Sequence, residues 1–252
     1  MRDAEPSPRL AALLREREPL LILTGAGVSA ESGLRTFRGP DGLWEGKDPA
    51  EVATPEAFRD DPVEVWRFYA ARRKAAAAAA PNAAHLAIAA MESARPATMV
   101  VTQNVDGLHE RAGTKQLVRL HGSLWRVRCV VEGREWEDHR EDLGSLPPRC
   151  ECGSLLRPAV VWFGEALPHE AWGKAAAAAR RSPLVLVVGT SSLVRPAADL
   201  QEIALGAGAY VVEVNPEATP FSGLASERLA GRAGSVLPRL ASLVRGRAEA
   251  TA

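Results

Sequence analysis

The sequence predicts an α/β fold in which helices cover both faces of a central parallel sheet. Short apolar runs recur along the chain, helical patterns separate most of them, and each run ends in small, polar or ionisable residues. Strands buried on both faces read as continuous apolar runs, and parallel neighbours need long crossover connections. We therefore expect right-handed crossovers between the strands.

Five apolar runs are the candidate strands of this sheet. They cover residues 19–23, 97–101, 116–120, 183–188 and 209–214. The chain leaves them through residues 24–27, 102–106, 121–123, 189–192 and 215–217. Because ligands bind outside the carboxyl ends of the strands in open parallel sheets, we expect these five exits to surround one site.

A helix is predicted to begin at Pro62. Asp61 is a favourable N-cap residue, Pro62 suits the first helical position, and Glu64 follows Asp61 by three residues. Basic residues 72–74 suit the far end of this helix, where the helix dipole is negative.

Two segments interrupt the alternation of strands and helices. Residues 124–158 contain all three cysteines, a charged stretch and no strong apolar period, which indicates a small inserted module. Residues 35–61 are rich in Gly, Pro and Asp, and we expect them to form a loop region over the ligand site. The main domain then comprises residues 1–34, 62–123 and 159–252.

The composition is that of an ordinary globular protein. The 252-residue chain is 46% hydrophobic and 25% charged, with 31 Lys and Arg against 31 Asp and Glu, which gives no reason to expect nucleic acid or a membrane as a partner. No stretch reaches the roughly 18 to 20 apolar residues of a membrane span. Three cysteines, an odd number, argue against a disulfide framework. We expect a monomeric, cytoplasmic protein.

A glycine-containing segment follows the first candidate strand. Residues 25–30, GAGVSA, resemble a dinucleotide phosphate loop, in which backbone N–H groups and a helix N-terminus meet a pyrophosphate. The third glycine is replaced by Ala30, and the acidic residue expected about 20 positions further on is not clearly placed. A tight strand-to-helix turn explains the segment equally well, so an ordinary hydride-transferring dehydrogenase is disfavoured.

Six blocks together resemble the sirtuin family. They are GAGVSAESG at 25–33, TFRG at 36–39, TQNVD at 102–106, LHGS at 120–123, VWFGE at 161–165 and GTS at 189–191. The blocks occur in the family's order, and the similarity extends over roughly residues 19–238. The resemblance implies a Rossmann-like parallel sheet with helices on both faces and a small inserted module of zinc-ribbon type, intact or degenerate. It also implies an NAD-dependent protein lysine deacylase.

The resemblance further implies which residues bind NAD. The matching positions are Gly25, Ala26, Gly27, Ala30, Glu31, Thr36, Phe37, Arg38, Trp44, Gln103, Asn104, Asp106, Gly189, Thr190, Ser191, Asn215, Pro216, Glu217 and Ala233. Asn104 and Asp106 would hold the nicotinamide carboxamide and the ribose, and Phe37 would shield the reacting centre. With His121, Asn104 and Asp106 form the predicted catalytic group. His121 would be the general base, because a pKa near seven suits proton transfer at neutral pH; outside this motif, a structural histidine is the commoner interpretation.

Two regions are expected to bind the acyl-lysine substrate. The first comprises Val160, Val161, Trp162, Phe163, Gly164 and Glu165, which resemble the strand onto which a substrate peptide adds by backbone pairing; otherwise this is an edge strand with buried Val and Trp. The second is Tyr69 and Arg72, whose i, i+3 spacing places them on one helix face. In the sirtuin subclass that removes succinyl and related groups, such a pair binds the distal carboxylate.

The small size of Ala53, where bulk would narrow the acyl pocket, also favours acidic acyl groups. We therefore expect removal of succinyl and malonyl groups, and also of acetyl groups, with release of nicotinamide and 2′-O-acyl-ADP-ribose. Without the family context, Tyr69 and Arg72 read as a half-buried Tyr beside a solvated Arg. Protein mono-ADP-ribosyl transfer and a non-catalytic NAD-binding sensor remain alternatives.

The cysteines depart from the family pattern. Structural zinc takes four ligands, but the chain offers only Cys129, Cys150 and Cys152, with Glu132 where a fourth cysteine is expected. Three thiolates with Glu132 or His139 could close a zinc site. Alternatively, the module has lost its metal and relies on packing.

Overall fold

The computed structural model describes residues 5–37, 42–43 and 48–245. These residues contain nine strands: β1 (Leu20–Thr24), β2 (Thr98–Thr102), β3 (Leu117–Arg119), β4 (Gly122–Cys129), β5 (Glu135–Glu137), β6 (Leu156–Val160), β7 (Leu184–Val188), β8 (Tyr210–Asn215) and β9 (Glu227–Ala230). The same residues contain nine α-helices: α1 (Pro8–Arg15), α2 (Pro49–Val52), α3 (Pro55–Asp60), α4 (Pro62–Ala78), α5 (Ala83–Ala94), α6 (Leu108–Arg111), α7 (His169–Arg181), α8 (Asp199–Gly206) and α9 (Ala233–Arg245).

Six strands form a parallel sheet in the order β3-β2-β1-β7-β8-β9. The chain builds one half of the sheet outward from β1 and then returns to β7 on its other side, which is the Rossmann strand order with a topological switch point between β1 and β7. Alternate residues of β1 face opposite cores: Leu20 and Ile22 pack with helices α1, α5 and α9, and Leu21 and Leu23 pack with α7 and α8. The predicted fold class is confirmed.

Each of the five predicted runs overlaps a strand of this sheet, but β9 was not predicted. Of its four residues, ERLA, only Leu229 is buried. The other three are half-buried, because β9 lies at the edge of the sheet. A short edge strand of this kind carries too little apolar signal to be recognised from sequence.

Local signals explain the helices around the ligand site. Asp61 caps α4 as predicted, because its carboxylate accepts a hydrogen bond from the Glu64 N–H at 2.9 Å. The helix continues past residues 72–74 through four alanines, which have the highest helix propensity. Part of the predicted loop region 35–61 is helical instead: α2 and α3 each begin with a side-chain cap, Asp48 or Thr54, followed by proline.

The second sheet is antiparallel and has the order β5-β4-β6, with β6 at an edge. Its strands extend two residues beyond each end of the predicted module, 124–158. Leu124, Val127 and Leu156 of this sheet pack against α4. None of the described helices combines the length and apolar character needed to cross a membrane.

Candidate active site

A pocket with a volume of about 450 Å³ lies at the carboxyl ends of the parallel strands. Loops that follow β1, β2, β3, β7 and β8 contribute to its lining, so the predicted strand exits meet at one place. The predicted site residues in the lining are Gly25, Ala26, Gly27, Thr36, Phe37, Ala53, Tyr69, Arg72, Gln103, Asn104, His121, Val160, Val161, Trp162, Phe163, Gly164, Glu165, Gly189, Thr190, Ser191, Asn215 and Glu217.

The other predicted NAD contacts lie elsewhere. Ala30, Glu31, Asp106, Pro216 and Ala233 are not in the pocket lining, and Arg38 and Trp44 lie outside the described residues. Glu31 has a different contact, because its carboxylate accepts a hydrogen bond at 2.7 Å from the N–H of Gly234 in the first turn of α9. A carboxylate at this position satisfies an otherwise unpaired N–H of the helix end.

Close backbone approach explains the glycines of the first loop. The Gly27 N–H donates to the Gly189 carbonyl at 2.8 Å, and a Cβ atom on Gly27 would lie only 2.8 Å from Gly189 Cα. Two short 3-10 turns, Ala26–Val28 and Ala30–Ser32, follow β1 here. Both interpretations of residues 25–30 implied a helix after β1; the structure instead has these 3-10 turns, with the loop packed tightly against the backbone that follows β7.

Asn104 and Asp106 belong to a buried network behind the pocket. The Asn104 amide donates to the Gly25 carbonyl at 3.0 Å and to Ser29 Oγ at 3.2 Å. Ser29 Oγ in turn donates to Asp106 at 2.8 Å, and the other Asp106 oxygen accepts from the Leu108 N–H at 2.9 Å. These bonds hold both side chains in one orientation, with Asn104 in the pocket lining and Asp106 behind it.

His121 follows β3 directly and faces the pocket. Its Nδ1 lies 3.1 Å from the Gln103 carbonyl oxygen, which can only accept a hydrogen bond. Nδ1 is therefore the protonated nitrogen of the neutral ring, and Nε2 is left as the proton acceptor. Burial lowers the pKa of His121 below its usual value, although the hydrogen bond to Gln103 opposes this shift. The side chain is therefore a neutral base at pH 7.

Tyr69 and Arg72 project from α4 into the same pocket. The indole N–H of Trp162 donates to Tyr69 Oη at 3.0 Å, so the phenol hydrogen remains available for donation. Burial raises the pKa of Tyr69 to about 12, which keeps the phenol protonated. Tyr69 thus presents a neutral hydrogen-bond donor.

The Arg72 guanidinium lies against aromatic rings, 4.5 Å from the centre of Phe37 and 5.9 Å from that of Phe68. Its Nε atom is buried and has no hydrogen-bond partner among the described residues. Burial lowers the pKa of Arg72, but a guanidinium starts so far above neutrality that it keeps its charge. The pocket therefore contains a cation with an unsatisfied donor, beside the neutral donor of Tyr69.

The predicted substrate strand at residues 160–165 is mostly a turn. β6 ends at Val160, and Gly164 has a φ of +85°, a left-handed conformation that favours glycine. The Glu165 carboxylate folds back to accept the Trp162 N–H at 2.8 Å and pairs with Arg157 at 2.6 Å. These contacts form the turn that follows β6, the edge strand next to the pocket. The backbone of β6 is largely paired within the molecule: the Leu156 N–H donates to the Pro148 carbonyl, and the Pro158 and Val160 carbonyls accept hydrogen bonds from the Arg157 side chain.

Several lining residues were missed by sequence reasoning. They are Val105, Leu167, Leu193, Val194, Arg195, Pro196, Ala218, Thr219 and Pro220. Most of them continue the loops after β7 and β8 a few residues beyond the predicted exits, and following these exits further along the chain would have found them.

A second cluster of functional side chains lies in the module. Cys129, Glu132, Cys150 and Cys152 place their ligand atoms within 4.8 Å of one another. Zinc accepts thiolate and carboxylate ligands in a tetrahedron with Zn–S distances of about 2.3 Å, which fits this donor set. His139, the other proposed fourth ligand, instead stacks on Trp125 with ring centres 5.9 Å apart.

Comparison with known proteins agrees with this geometry. A sequence profile of the Sir2 family matches residues 25–196. A Pyrobaculum aerophilum protein named NAD-dependent protein deacylase 2 is 51% identical over 239 residues, covering 94% of this chain and 96% of that protein. NAD-dependent protein deacylase from Aquifex aeolicus is 48% identical, covering 90% of this chain and 95% of that protein. The structure of a Sir2 homologue in complex with NAD is 43% identical, covers 98% of this chain and 97% of that one, and superposes with a TM-score of 0.91. The chain therefore belongs to the Sir2 family, the sirtuins.

Proposed function

We propose that the protein is an NAD-dependent protein lysine deacylase. The observation that carries this proposal is the single pocket in which the glycine loop, His121 and the Tyr69–Arg72 pair meet. A dinucleotide on the loop and an acyl-lysine beside α4 would meet at His121. With one water consumed, NAD and acyl-lysine give nicotinamide, free lysine and 2′-O-acyl-ADP-ribose.

The chain's residues have separate tasks in this reaction. NAD, when bound, supplies the reactive bond between nicotinamide and ribose. Gly25, Gly27 and Gly189 let the backbone approach the phosphates, and Asn104, held in place by Ser29 and the Gly25 carbonyl, orients the nicotinamide end. His121 accepts a ribose hydroxyl proton at Nε2, because Nδ1 is occupied by the Gln103 carbonyl.

The substrate peptide lies along the segment 160–165 at the pocket and contacts it through main-chain atoms, with the acyl-lysine entering between Val161 and Phe163. Phe163 is 41% exposed at this entrance, as an apolar contact for the peptide. Recognition through main-chain atoms predicts modest selectivity for the sequence around the lysine.

Acidic acyl groups are the preferred substrates in this proposal. A distal carboxylate would accept hydrogen bonds from the neutral Tyr69 phenol and from the charged Arg72 guanidinium, whose Nε lacks a partner in the described structure. A hydrogen bond to a charged group contributes about 1.5–3 kcal/mol, enough to change preference by about 10- to 100-fold. Ala53, whose carbonyl accepts the Phe163 N–H at 2.9 Å, leaves room for the longer chain.

Kinetics with succinyl-, malonyl- and acetyl-lysine peptides test the proposal. We expect NAD-dependent deacylation of all three, and we expect Arg72→Met to lower kcat/KM for the succinyl peptide about 10- to 100-fold more than for the acetyl peptide. Arg67→Met is the matched control, because Arg67 lies on the same helix with its side chain 66% exposed. An equal fall in kcat/KM for the succinyl and acetyl peptides would show that Arg72 does not bind the distal carboxylate.

Labelled NAD distinguishes deacylation from protein mono-ADP-ribosyl transfer. Deacylation releases the label as a small acyl ester, whereas transfer leaves it on protein. If the label stays on protein and the peptide keeps its acyl group, the reaction is ADP-ribosyl transfer and not deacylation.

A further inference from the structure

Two consecutive arginines on α4 point in different directions. Arg72 lines the pocket, whereas Arg73 is buried between α4 and the second sheet, with its side chain 1% exposed. Arg73 Nη2 donates to the backbone carbonyl of Asp138 and lies 3.4 Å from its carboxylate, which is 3% exposed. The guanidinium also lies 5.6 Å from the centre of the Trp125 ring.

Asp138 is shared between two arginines. Its second oxygen accepts a hydrogen bond at 2.6 Å from Arg140, whose side chain is 56% exposed. Burial disfavours the charged Asp138, but the bonds and charges of Arg140 and Arg73 outweigh it and lower the pKa of Asp138. Asp138 therefore keeps Arg140 as a partner when Arg73 is replaced.

A buried ion pair is weak evidence for stability, because apolar residues of similar volume in its place often stabilise a protein equally or more. The position of the Arg73–Asp138 pair says more about the role of Arg73. Arg73 holds the C-terminal half of α4 against the second sheet, and Trp66 holds the N-terminal half through a 2.7 Å hydrogen bond from its indole N–H to the Leu156 carbonyl. Tyr69 and Arg72 lie between these two anchors.

Two anchors are needed because a helix can turn about its axis while a single contact persists. One residue corresponds to about 100° of helix rotation, so even a fraction of that angle would swing Arg72 away from the pocket. The Arg73 anchor is itself supported, because the Asp138 N–H donates to the Trp125 carbonyl at 2.8 Å. The Trp125 indole N–H then donates at 2.7 Å to the carbonyl of Asp106, next to the predicted nicotinamide contacts.

We propose that Arg73 is a positioning residue for substrate selection, which through its buried pair with Asp138 holds α4 in the rotation that directs Tyr69 and Arg72 at the acyl group. This inference rests on the proposed recognition of acidic acyl groups by Tyr69 and Arg72. Arg73 itself does not line the pocket.

The test is the ratio of kcat/KM for succinyl-lysine to kcat/KM for acetyl-lysine. We expect Arg73→Met to lower this ratio about tenfold, mainly through KM for the succinyl peptide, because a misdirected binding group loses most of its effect. KM for NAD should stay near the wild-type value. Arg95→Met is the control: Arg95 is also buried, but it donates to the Glu18 and Leu13 carbonyls, so its loss should lower Tm and leave the ratio unchanged.

The outcomes separate this inference from the proposed function. If Arg72→Met lowers the ratio and Arg73→Met does not, the positioning role is wrong. If Arg72→Met leaves the ratio unchanged, the acidic-acyl proposal itself fails. Should Arg73→Met not fold, Arg73→Gln decides, because it removes the charge and shortens the side chain: a lowered ratio supports the positioning role, and a wild-type ratio overturns it.

Discussion

The two sheets of this protein build their functional ends in different ways. At the parallel sheet, the pocket is formed by backbones in close approach, as where the Gly27 N–H meets the Gly189 carbonyl at 2.8 Å. At the antiparallel sheet, side chains make the contacts, such as Arg73, which reaches the carbonyl and the carboxylate of Asp138, and the cysteine cluster. A close backbone approach tolerates few substitutions, whereas one side-chain ligand can stand in for another, and Glu132 occupies a position where the family pattern predicts cysteine.

The largest expected effect concerns proton transfer at the pocket. His121→Ala should lower deacylation by about 10²- to 10⁴-fold, the usual loss when a general base is removed. His139→Ala is the control in the module, because His139 is exposed and lies against Trp125. Nicotinamide release and mass spectrometry of the peptide measure both variants. Turnover of His121→Ala at the wild-type rate would remove this residue from the mechanism.

The pH profile sharpens the same test. His121 acts as a base when neutral, and its pKa is lowered by burial. In the wild-type enzyme, kcat/KM should therefore stay constant from pH 8 down to about 6.5, the usual histidine pKa, and fall only as the pH drops through the lower pKa of His121. A fall that is already complete at pH 7 would contradict this assignment.

The next effect tests the backbone approach at the parallel sheet. Gly27→Ala would place a Cβ atom 2.8 Å from Gly189, so the loop must shift, and we expect KM for NAD to rise about 10- to 100-fold. Gly173→Ala is the matched control: Gly173 lies within α7, a Cβ atom there would have no neighbour within 4 Å, and the change should stabilise the fold by about 0.5–1 kcal/mol. If KM for NAD is unchanged in Gly27→Ala, the phosphates of NAD do not lie against this loop.

The smallest effect on turnover is expected in the module. Glu132→Ala should weaken zinc binding about 10- to 100-fold or more, because even the loss of an outer-sphere partner has an effect of this size. Competition with a chelating dye measures this, with Glu151→Ala as the control, since the Glu151 side chain is 92% exposed. At subsaturating NAD, turnover should fall less than in Gly27→Ala. Zinc affinity equal to that of the wild type would exclude Glu132 as a ligand.

Sequence patterns predicted the parallel sheet well because its strands are buried on both faces and read as apolar runs. The fold class and the family are confirmed. The exits after β1, β2 and β3 were enough to predict that Gly27, Asn104 and His121 lie at one pocket. The catalytic and binding roles of these residues stay predictions, as do the domain boundaries.

Other features depend on tertiary contacts that have no local signature. The spacing from Tyr69 predicted a role for Arg72, which lines the pocket, but nothing in the sequence indicated that Arg73 is buried against Asp138, 65 residues away. Residues 160–165 were predicted as a strand because they resemble the family's substrate-binding strand, but β6 ends at Val160 and the following residues form a turn. Its conformation depends on the Glu165–Arg157 pair, which joins two segments that a local pattern treats separately.

The edge strand β6 has a consequence for how molecules of this protein meet. An uncovered strand edge can pair with any extended chain. In β6, however, Pro158 has no N–H group, the Leu156 N–H donates to the Pro148 carbonyl, and side chains of Trp66 and Arg157 donate to the carbonyls of Leu156, Pro158 and Val160. Groups with which a foreign strand would pair are therefore already bonded within the molecule.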